Sequence, residues 1–132
     1  MDFSSLNYLA ILIAALSTFL IGGVWYGPLF GKQWMIENGF SADQAAGGSP
    51  LIKFGGTFLL AFLSALNLAL MLGANADLSF GVFAGLMTGL FFVSTFFGII
   101  YLFERRSLKL FLINAGYITL AFTVMGAILG AF

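Results

Sequence analysis

The chain has 132 residues, of which 61% are hydrophobic and 8% are charged, and its mean hydropathy is +1.09. Soluble domains carry about 25% charged residues, so this composition is that of a membrane protein. Five basic and five acidic residues cancel, which argues against a nucleic-acid partner. The sequence contains no cysteine and no histidine. Disulfides and imidazole or thiolate chemistry are thereby excluded, and we expect no metal, no cofactor and no enzymatic activity.

Four apolar runs follow one another, each close to the length of about 20 residues that crosses a bilayer core. Their predicted bounds are 6–26, 51–72, 78–103 and 109–131. The first run is interpreted as a structural helix and not as a cleaved signal peptide, because no basic segment precedes it. We therefore predict an all-α protein in which residues 1–132 form one integral membrane domain, a four-span transmembrane helical bundle.

The largest loop, residues 28–50, contains the signals of two short helices. A helix over 29–38 is predicted to end at Gly39, with Trp34 among the residues that face lipid. Ser41, followed three residues later by glutamine, has the form of a capping box that begins a second helix. We expect this loop to lie in the membrane interface on the cytoplasmic side.

The distribution of basic residues predicts the orientation. All five lie in or beside the first and third loops, at Lys32, Lys53, Arg105, Arg106 and Lys109. Short loops rich in lysine and arginine stay in the cytoplasm. We predict a multi-pass protein of the inner cell membrane, with loops 28–50 and 104–109 cytoplasmic and both termini outside the cytoplasm.

Short internal matches suggest a duplication. The triplet Ser-Thr-Phe at 17–19 recurs at 94–96, and the segment 51–55 resembles 112–116. The pattern is that of two parallel helical-hairpin repeats with an insertion in the first copy. The alternative is chance similarity between segments of biased composition.

Small residues recur every four positions on all four spans, and such stripes mark the contact faces of helices in lipid. The stripes are Ala10, Ala14, Thr18 and Gly22; Ala61, Ala65, Ala69 and Gly73; Gly81, Gly85 and Gly89; Ala115, Thr119, Thr123, Ala127 and Ala131. We expect them to pack within one chain. The alternative is an interface between subunits on the third span.

Polar side chains inside the spans are candidates for function. Asn67, and Asn114 together with Tyr117 on one face of the last span, are the main ones. They are interpreted first as interhelical hydrogen-bonding groups and second as a ligand site.

Charged residues at the third loop form another candidate. Glu104 and the adjacent Arg105 and Arg106 favour local pairing. The alternative is an anion or lipid headgroup site built from Arg105, Arg106 and Lys109, which Lys32 would join if the first and third loops meet.

The stretch 25–34 concentrates aromatic residues, glycines and a proline. Trp25, Tyr26 and Trp34 occupy positions typical of the aromatic belt at a membrane surface. Anchoring alone does not require Pro28 and its neighbouring glycines. These residues favour a defined turn that brings the chain close to another helix or a ligand.

The same stretch carries a resemblance to a known family. Its pattern Gly-x-Trp-Tyr-x-Pro-Leu-Phe-Gly-Lys-x-Trp, the following Ser-x-x-Gln, and Leu-Ile-Asn-Ala-Gly-Tyr in the last span resemble bacterial membrane proteins of domain-of-unknown-function family 1761. The resemblance covers nearly the whole chain. It implies a small, all-helical integral membrane protein and no catalytic residue, substrate or cofactor.

Two functional hypotheses follow. The first is a non-enzymatic module in the lipid bilayer that self-assembles or serves as an accessory subunit of a larger membrane complex. The alternative is a subunit of a small-solute or ion channel or transporter. Asn67, Asn114, Tyr117 and the arginines of the third loop would line its path.

Overall fold

The computed structural model describes residues 3–132, and every regular element within them is helical. The α-helices are α1 Tyr8–Val24, α2 Gly31–Asn38, α3 Ala42–Ala46, α4 Pro50–Leu72, α5 Leu78–Met87, α6 Ser94–Glu104 and α7 Leu108–Ala131. Four continuous segments are long and apolar enough to cross a membrane: Tyr8–Leu29, Pro50–Leu72, Leu78–Glu104 and Leu108–Ala131. The prediction of an all-α, multi-pass membrane protein with four spans is confirmed.

Local sequence explains where most helices begin and end. The N-cap side chains of α1, α4, α5 and α7 each accept a hydrogen bond from a backbone N–H three residues later; they are Asn7, Ser49, Asp77 and Ser107. Ser41 forms the predicted capping box at α3. Gly39 ends α2 in the left-handed conformation, with φ of 71°.

The end of the first span was predicted wrongly. The helix does not stop at Tyr26 but continues through Pro28 to Leu29 as a π-helical turn, Trp25–Leu29. The Phe30 N–H donates to the Trp25 carbonyl at 2.8 Å, which closes a wider turn around the proline. Proline lacks a backbone donor, and a π-helical turn accommodates its missing α-helical bond. A second π-helical turn, Thr88–Val93, joins α5 to α6.

The closest helix contact joins α5 to α7. A methyl group added at Gly81 would overlap the backbone carbonyl of Gly126, and one at Gly85 would overlap that of Phe122. Such a close approach requires glycine, because any side chain would push the two backbones apart. The glycine stripe of the third span therefore packs within the chain.

The stripe predicted on α7 is correct in part. Thr123 and Thr119 lie at the contact with the third span. A methyl group added at Gly85 would lie 3.1 Å from the Thr123 Cα, and one added at Gly89 in the π-helical turn would lie 3.0 Å from the Thr119 Cα. Towards the C-terminus the contact is made by Gly126 and Gly130 and not by the predicted alanines. Glycine has no side chain, so the two backbones approach more closely there than alanine would allow.

The core joins α1, α4 and α7. Its buried residues are Ile11, Ala14, Ala15, Ala65, Leu68, Ala69, Leu72 and Met125. The α4 residues in this core belong to the C-terminal half of that helix, where its alanine stripe lies. This half of α4 is therefore packed, as the small-residue rule predicts.

The N-terminal half of α4 stands away from the other helices. Leu51 is 82% exposed and Ile52 is 76% exposed, and Leu60 also points outwards. None of the buried core residues lies in this half, and an added Cβ at Gly55 or Gly56 would meet nothing within 4 Å. The buried contacts of α4 with the other spans are therefore concentrated in its C-terminal half.

The two predicted hairpin repeats do not occupy equivalent positions. The last span packs against both α1 and α5, whereas α4 packs mainly against α1. A pseudo-two-fold arrangement would place α4 and α7 in matching surroundings. The packing therefore gives no support to the duplication.

Candidate functional site

The candidate site lies where the five basic residues gather, which we call the basic end of the molecule. It comprises the end of α1 with its π-helical turn, α2, the start of α4, the end of α6 and the start of α7. Lys32, Lys53, Arg105, Arg106 and Lys109 are all exposed there.

The π-helical turn directs Trp25 towards α7. The indole Nε1 donates to the Ile113 carbonyl oxygen at 2.8 Å. The ring also covers Gly116, where an added Cβ would lie 2.7 Å from the indole Cζ2. Phe30 packs against the ring, with centroids 4.7 Å apart. Trp25 thus fastens the end of the first span to the last span.

Tyr26, Asn114 and Tyr101 form a chain of hydrogen bonds across three spans. The Tyr26 hydroxyl donates to Asn114 Oδ1 at 2.5 Å. The Asn114 Nδ2 donates to the Tyr101 hydroxyl at 2.7 Å. The structure therefore places Asn114 in the interhelical role that the sequence favoured, because both parts of its amide are bonded to other helices.

Tyr117 and Trp34 complete this aromatic cluster. The Tyr117 hydroxyl donates to the backbone carbonyl of Thr18 at 3.1 Å. Its ring meets Tyr26 edge to face, with centroids 5.2 Å apart. Trp34 packs against the other side of Tyr26 at 5.9 Å. Trp34, which we expected to face lipid, is half-buried, and the buried Gly31 of the same helix abuts the Tyr26 carbonyl.

The first and third loops meet beside this cluster. The Arg106 guanidinium donates to Asn38 Oδ1, and the Ser107 hydroxyl donates to Glu37 Oε1. Gln33 donates to the other Glu37 oxygen at 2.9 Å. The Glu37 carboxylate and the Asn38 amide thus make the polar contacts at this junction. Arg106 is therefore hydrogen-bonded to the first loop.

The other charged candidates lie at the surface. Glu104 ends α6 and is exposed. Arg105 follows it in the left-handed conformation, with φ of 59°, and is also exposed. The structure does not bring these two side chains into the aromatic cluster.

Asn67 belongs to a different surface. Its amide donates to the Leu63 carbonyl of the same helix at 2.8 Å. It lines a shallow groove of about 330 Å³ with Thr88 and Phe122. The structure therefore does not bring Asn67 together with Asn114.

A larger opening, which we call the lateral cleft, separates α4 from α1 and α2. Its volume is about 980 Å³. Lys32 and Lys53 line it together with apolar side chains such as Phe19 and Phe54, and Tyr26 forms part of its wall. No aspartate or glutamate lines it among the residues that the structure describes. The lining thus combines two cations with mainly apolar side chains.

Sequence reasoning missed Tyr101, Glu37 and Ser107. Tyr101 lies one turn before Arg105, at the depth where Trp25 and Tyr26 were recognised as interfacial aromatics. That position was a usable signal. Glu37 and Ser107 carry no comparable signal, because their contact depends on how the two loops fold towards each other.

Among residues 3–132, no three histidine, cysteine, aspartate or glutamate side chains gather as they would around a metal ion. The family model described as Protein of unknown function (DUF1761) matches residues 9–130, which is nearly the whole chain. Comparison with curated proteins found no match, and comparison with solved structures found none.

Proposed function

The chain belongs to this family, and from that premise we propose that it is a non-enzymatic membrane module that acts by assembling. It assembles either with further copies of itself or as an accessory subunit of a larger membrane complex. The family description names no reaction, so the proposal depends on the surfaces and polar groups of this chain.

Two glycines of α4 that no neighbouring group covers carry the proposal. The glycines on α5 and α7, by contrast, each face another part of the chain, since an added Cβ there would have neighbours within 4 Å. At Gly55 and Gly56 of α4 an added Cβ would meet nothing within 4 Å. Bare helix surfaces of this kind allow close contact between helices in lipid. Gly55 and Gly56 therefore offer a contact surface that the chain itself does not use.

This surface extends along one outer face of α4. Ile52, Gly56 and Leu59 follow one another at spacings of four and three residues, which places them on the same side of the helix. Ile52 is 76% exposed and Leu59 is 58% exposed. We call this the outer face of α4, and it lies away from Lys53 and Thr57, which line the lateral cleft. A partner helix on the outer face would leave the cleft open.

The polar groups of the basic end support a structural role. Asn114 bridges two tyrosines, and Trp25 and Tyr117 bond to backbone carbonyls of neighbouring helices. Within residues 3–132, every buried side-chain nitrogen or oxygen has a hydrogen-bond partner. These groups hold helices together, and none of them forms a nucleophile and base pair.

The mass of the extracted protein tests the proposal. Gentle detergent extraction followed by native mass measurement should show an oligomer or a defined complex with another membrane protein. A persistent monomer without a partner in both mild detergent and lipid nanodiscs would refute the proposal.

Cross-linking tests the surface itself, because the chain has no cysteine of its own. Gly56→Cys and Leu59→Cys should form disulfide-linked products in membranes under mild oxidation. Leu20→Cys is the matched control, since Leu20 is 74% exposed on α1 and lies off the outer face. Equal cross-linking at all three positions would indicate random collision and would contradict an interface on α4.

The alternative, a channel or transporter subunit, requires a polar path across the membrane. Its candidate residues Asn67 and Asn114 lie on different surfaces, and the Asn114 amide is bonded between Tyr26 and Tyr101. The assembly role therefore has the stronger support. Solute flux into vesicles that contain the purified protein, abolished by Asn114→Leu, would reverse this preference.

A further inference from the structure

The lateral cleft combines a positively charged end with apolar walls. Lys32 projects from α2 and Lys53 from α4, so two different elements bring the cations to one opening. No carboxylate lines the cleft within the described residues. At the loop junction, by contrast, Glu37 and Asn38 occupy the polar contacts. The cleft is therefore the part of the basic end where two cations face an opening without acidic partners.

The rest of the cleft is shaped for an apolar chain. Phe19 and Met35 line it, and Gly23 and Gly27 present bare backbone on the wall formed by the first span. An added Cβ at either glycine would meet nothing within 4 Å. Thr18, about three helical turns before Leu29, marks how far the cleft extends into the membrane-spanning part.

We propose that the lateral cleft binds an anionic phospholipid, with its phosphate between Lys32 and Lys53 and an acyl chain along Gly23 and Gly27. Charge complementarity identifies the headgroup, because lysines near a membrane surface attract anionic lipids. The volume of about 980 Å³ is at the upper end of the range of about 300–1,000 Å³ typical of ligand pockets. A free phosphate would leave most of this apolar volume unfilled.

Native mass spectrometry of protein released from nanodiscs tests the headgroup. Phosphatidylglycerol should be retained in preference to phosphatidylcholine with the same acyl chains. Lys32→Gln and Lys53→Gln should each lower retention about fivefold, and the double variant about 25-fold. Lys109→Gln is the matched control, because Lys109 is exposed at the basic end and does not line the cleft. It should leave retention unchanged.

A second pair of variants tests the acyl chain. Gly23→Leu places a side chain in the cleft without meeting any neighbour within 4 Å of its Cβ. It should lower phosphatidylglycerol retention about tenfold, the loss expected from excluding about two acyl methylenes. Thr95→Leu introduces the same side chain at an exposed position of α6 that does not line the cleft, and should have no effect on retention.

Three results would overturn the proposal. Equal retention of the two phospholipids by the unaltered protein would remove the headgroup preference. An equal loss in Lys109→Gln would show a general surface-charge effect. Displacement of the lipid by glycerol phosphate at equal concentration would indicate a soluble anion as the ligand. Native mass spectrometry reports the bound lipid and the oligomeric mass separately. A negative result for lipid binding therefore leaves the test of assembly unaffected.

Discussion

Gly116→Ala should destabilise the protein by driving Trp25 away from α7. The added Cβ would lie 2.7 Å from the indole Cζ2 and 3.2 Å from Cη2. Carbon atoms pack at about 3.5–4.0 Å, so the indole would have to shift by about 1 Å. The Nε1 bond to the Ile113 carbonyl, 2.8 Å long, would then be stretched beyond hydrogen-bonding distance.

The expected loss combines three contributions. Overpacking costs about 1–3 kcal/mol, and a lost interhelical hydrogen bond in a membrane protein costs about 0.6 kcal/mol. Replacing glycine by alanine within a helix returns about 0.5–1 kcal/mol. The net loss is about 1–3 kcal/mol by these terms. Gly55→Ala, where nothing lies within 4 Å, should be neutral or slightly stabilising.

A double-mutant cycle isolates the contact between the two side chains. Trp25→Phe removes Cζ2 and Cη2, the indole atoms nearest to position 116. In that background Gly116→Ala should no longer destabilise, which corresponds to a coupling free energy of about 2 kcal/mol. Unfolding by titration from mild detergent into sodium dodecyl sulfate, followed by circular dichroism, measures all four proteins.

Two outcomes would refute this reasoning. An equal cost of Gly116→Ala in both backgrounds would show that the indole is not the source of the overlap. A stabilising effect like that of Gly55→Ala would show that Trp25 does not cover Gly116 in the membrane-embedded protein. The helical content of each variant before titration serves as the folding control.

Three further predictions address the network, the packing and the orientation. Asn114→Leu should lower the free energy of unfolding by about 1 kcal/mol, since it removes two interhelical bonds of about 0.6 kcal/mol each; Asn67→Leu, which removes only a bond within α4, should be neutral in the same titration. Gly85→Ala should lower the thermal unfolding temperature more than Gly116→Ala, because its methyl meets the Phe122 backbone and not a side chain; equal shifts would contradict this. A reporter enzyme fused after Phe132 should be active only outside the cytoplasm, and cytoplasmic activity would overturn the orientation inferred from the basic loops.

The sequence predicted the helices well because their signals are local. The length of the apolar runs identified the spans, and the caps at Gly39 and Ser41 appear in the structure as expected. Pro28 misled the prediction, since a proline usually ends a helix. Its effect here is a wider turn, whose formation depends on the surrounding packing.

The sequence predicted which residues belong to the site, but not how they are arranged. The aromatic stretch and the last-span motif pointed to Trp25, Tyr26, Asn114 and Tyr117, and the structure brings these four together. Their pairing depends on the rotation of α1 relative to α7, and one-dimensional spacing contains no such information. The divergence of α4 could not be predicted, because Gly55 and Gly56 near its start carry the same small-residue signal as the packed alanines that follow.

The corner at the end of the first span connects the hydrogen bonds of Asn114 to the lateral cleft. Lipid provides no hydrophobic driving force between helices, so hydrogen bonds and close packing must hold the end of α1 against α7. Tyr26 contributes its hydroxyl to Asn114 and its ring to the wall of the lateral cleft. Gly31 lies directly against the Tyr26 carbonyl. Because it has no side chain, α2 can fold back and place Lys32 at the opening. The aromatic stretch is therefore a structural corner that contributes Lys32 to the charged end of the cleft and Tyr26 and Gly27 to its wall.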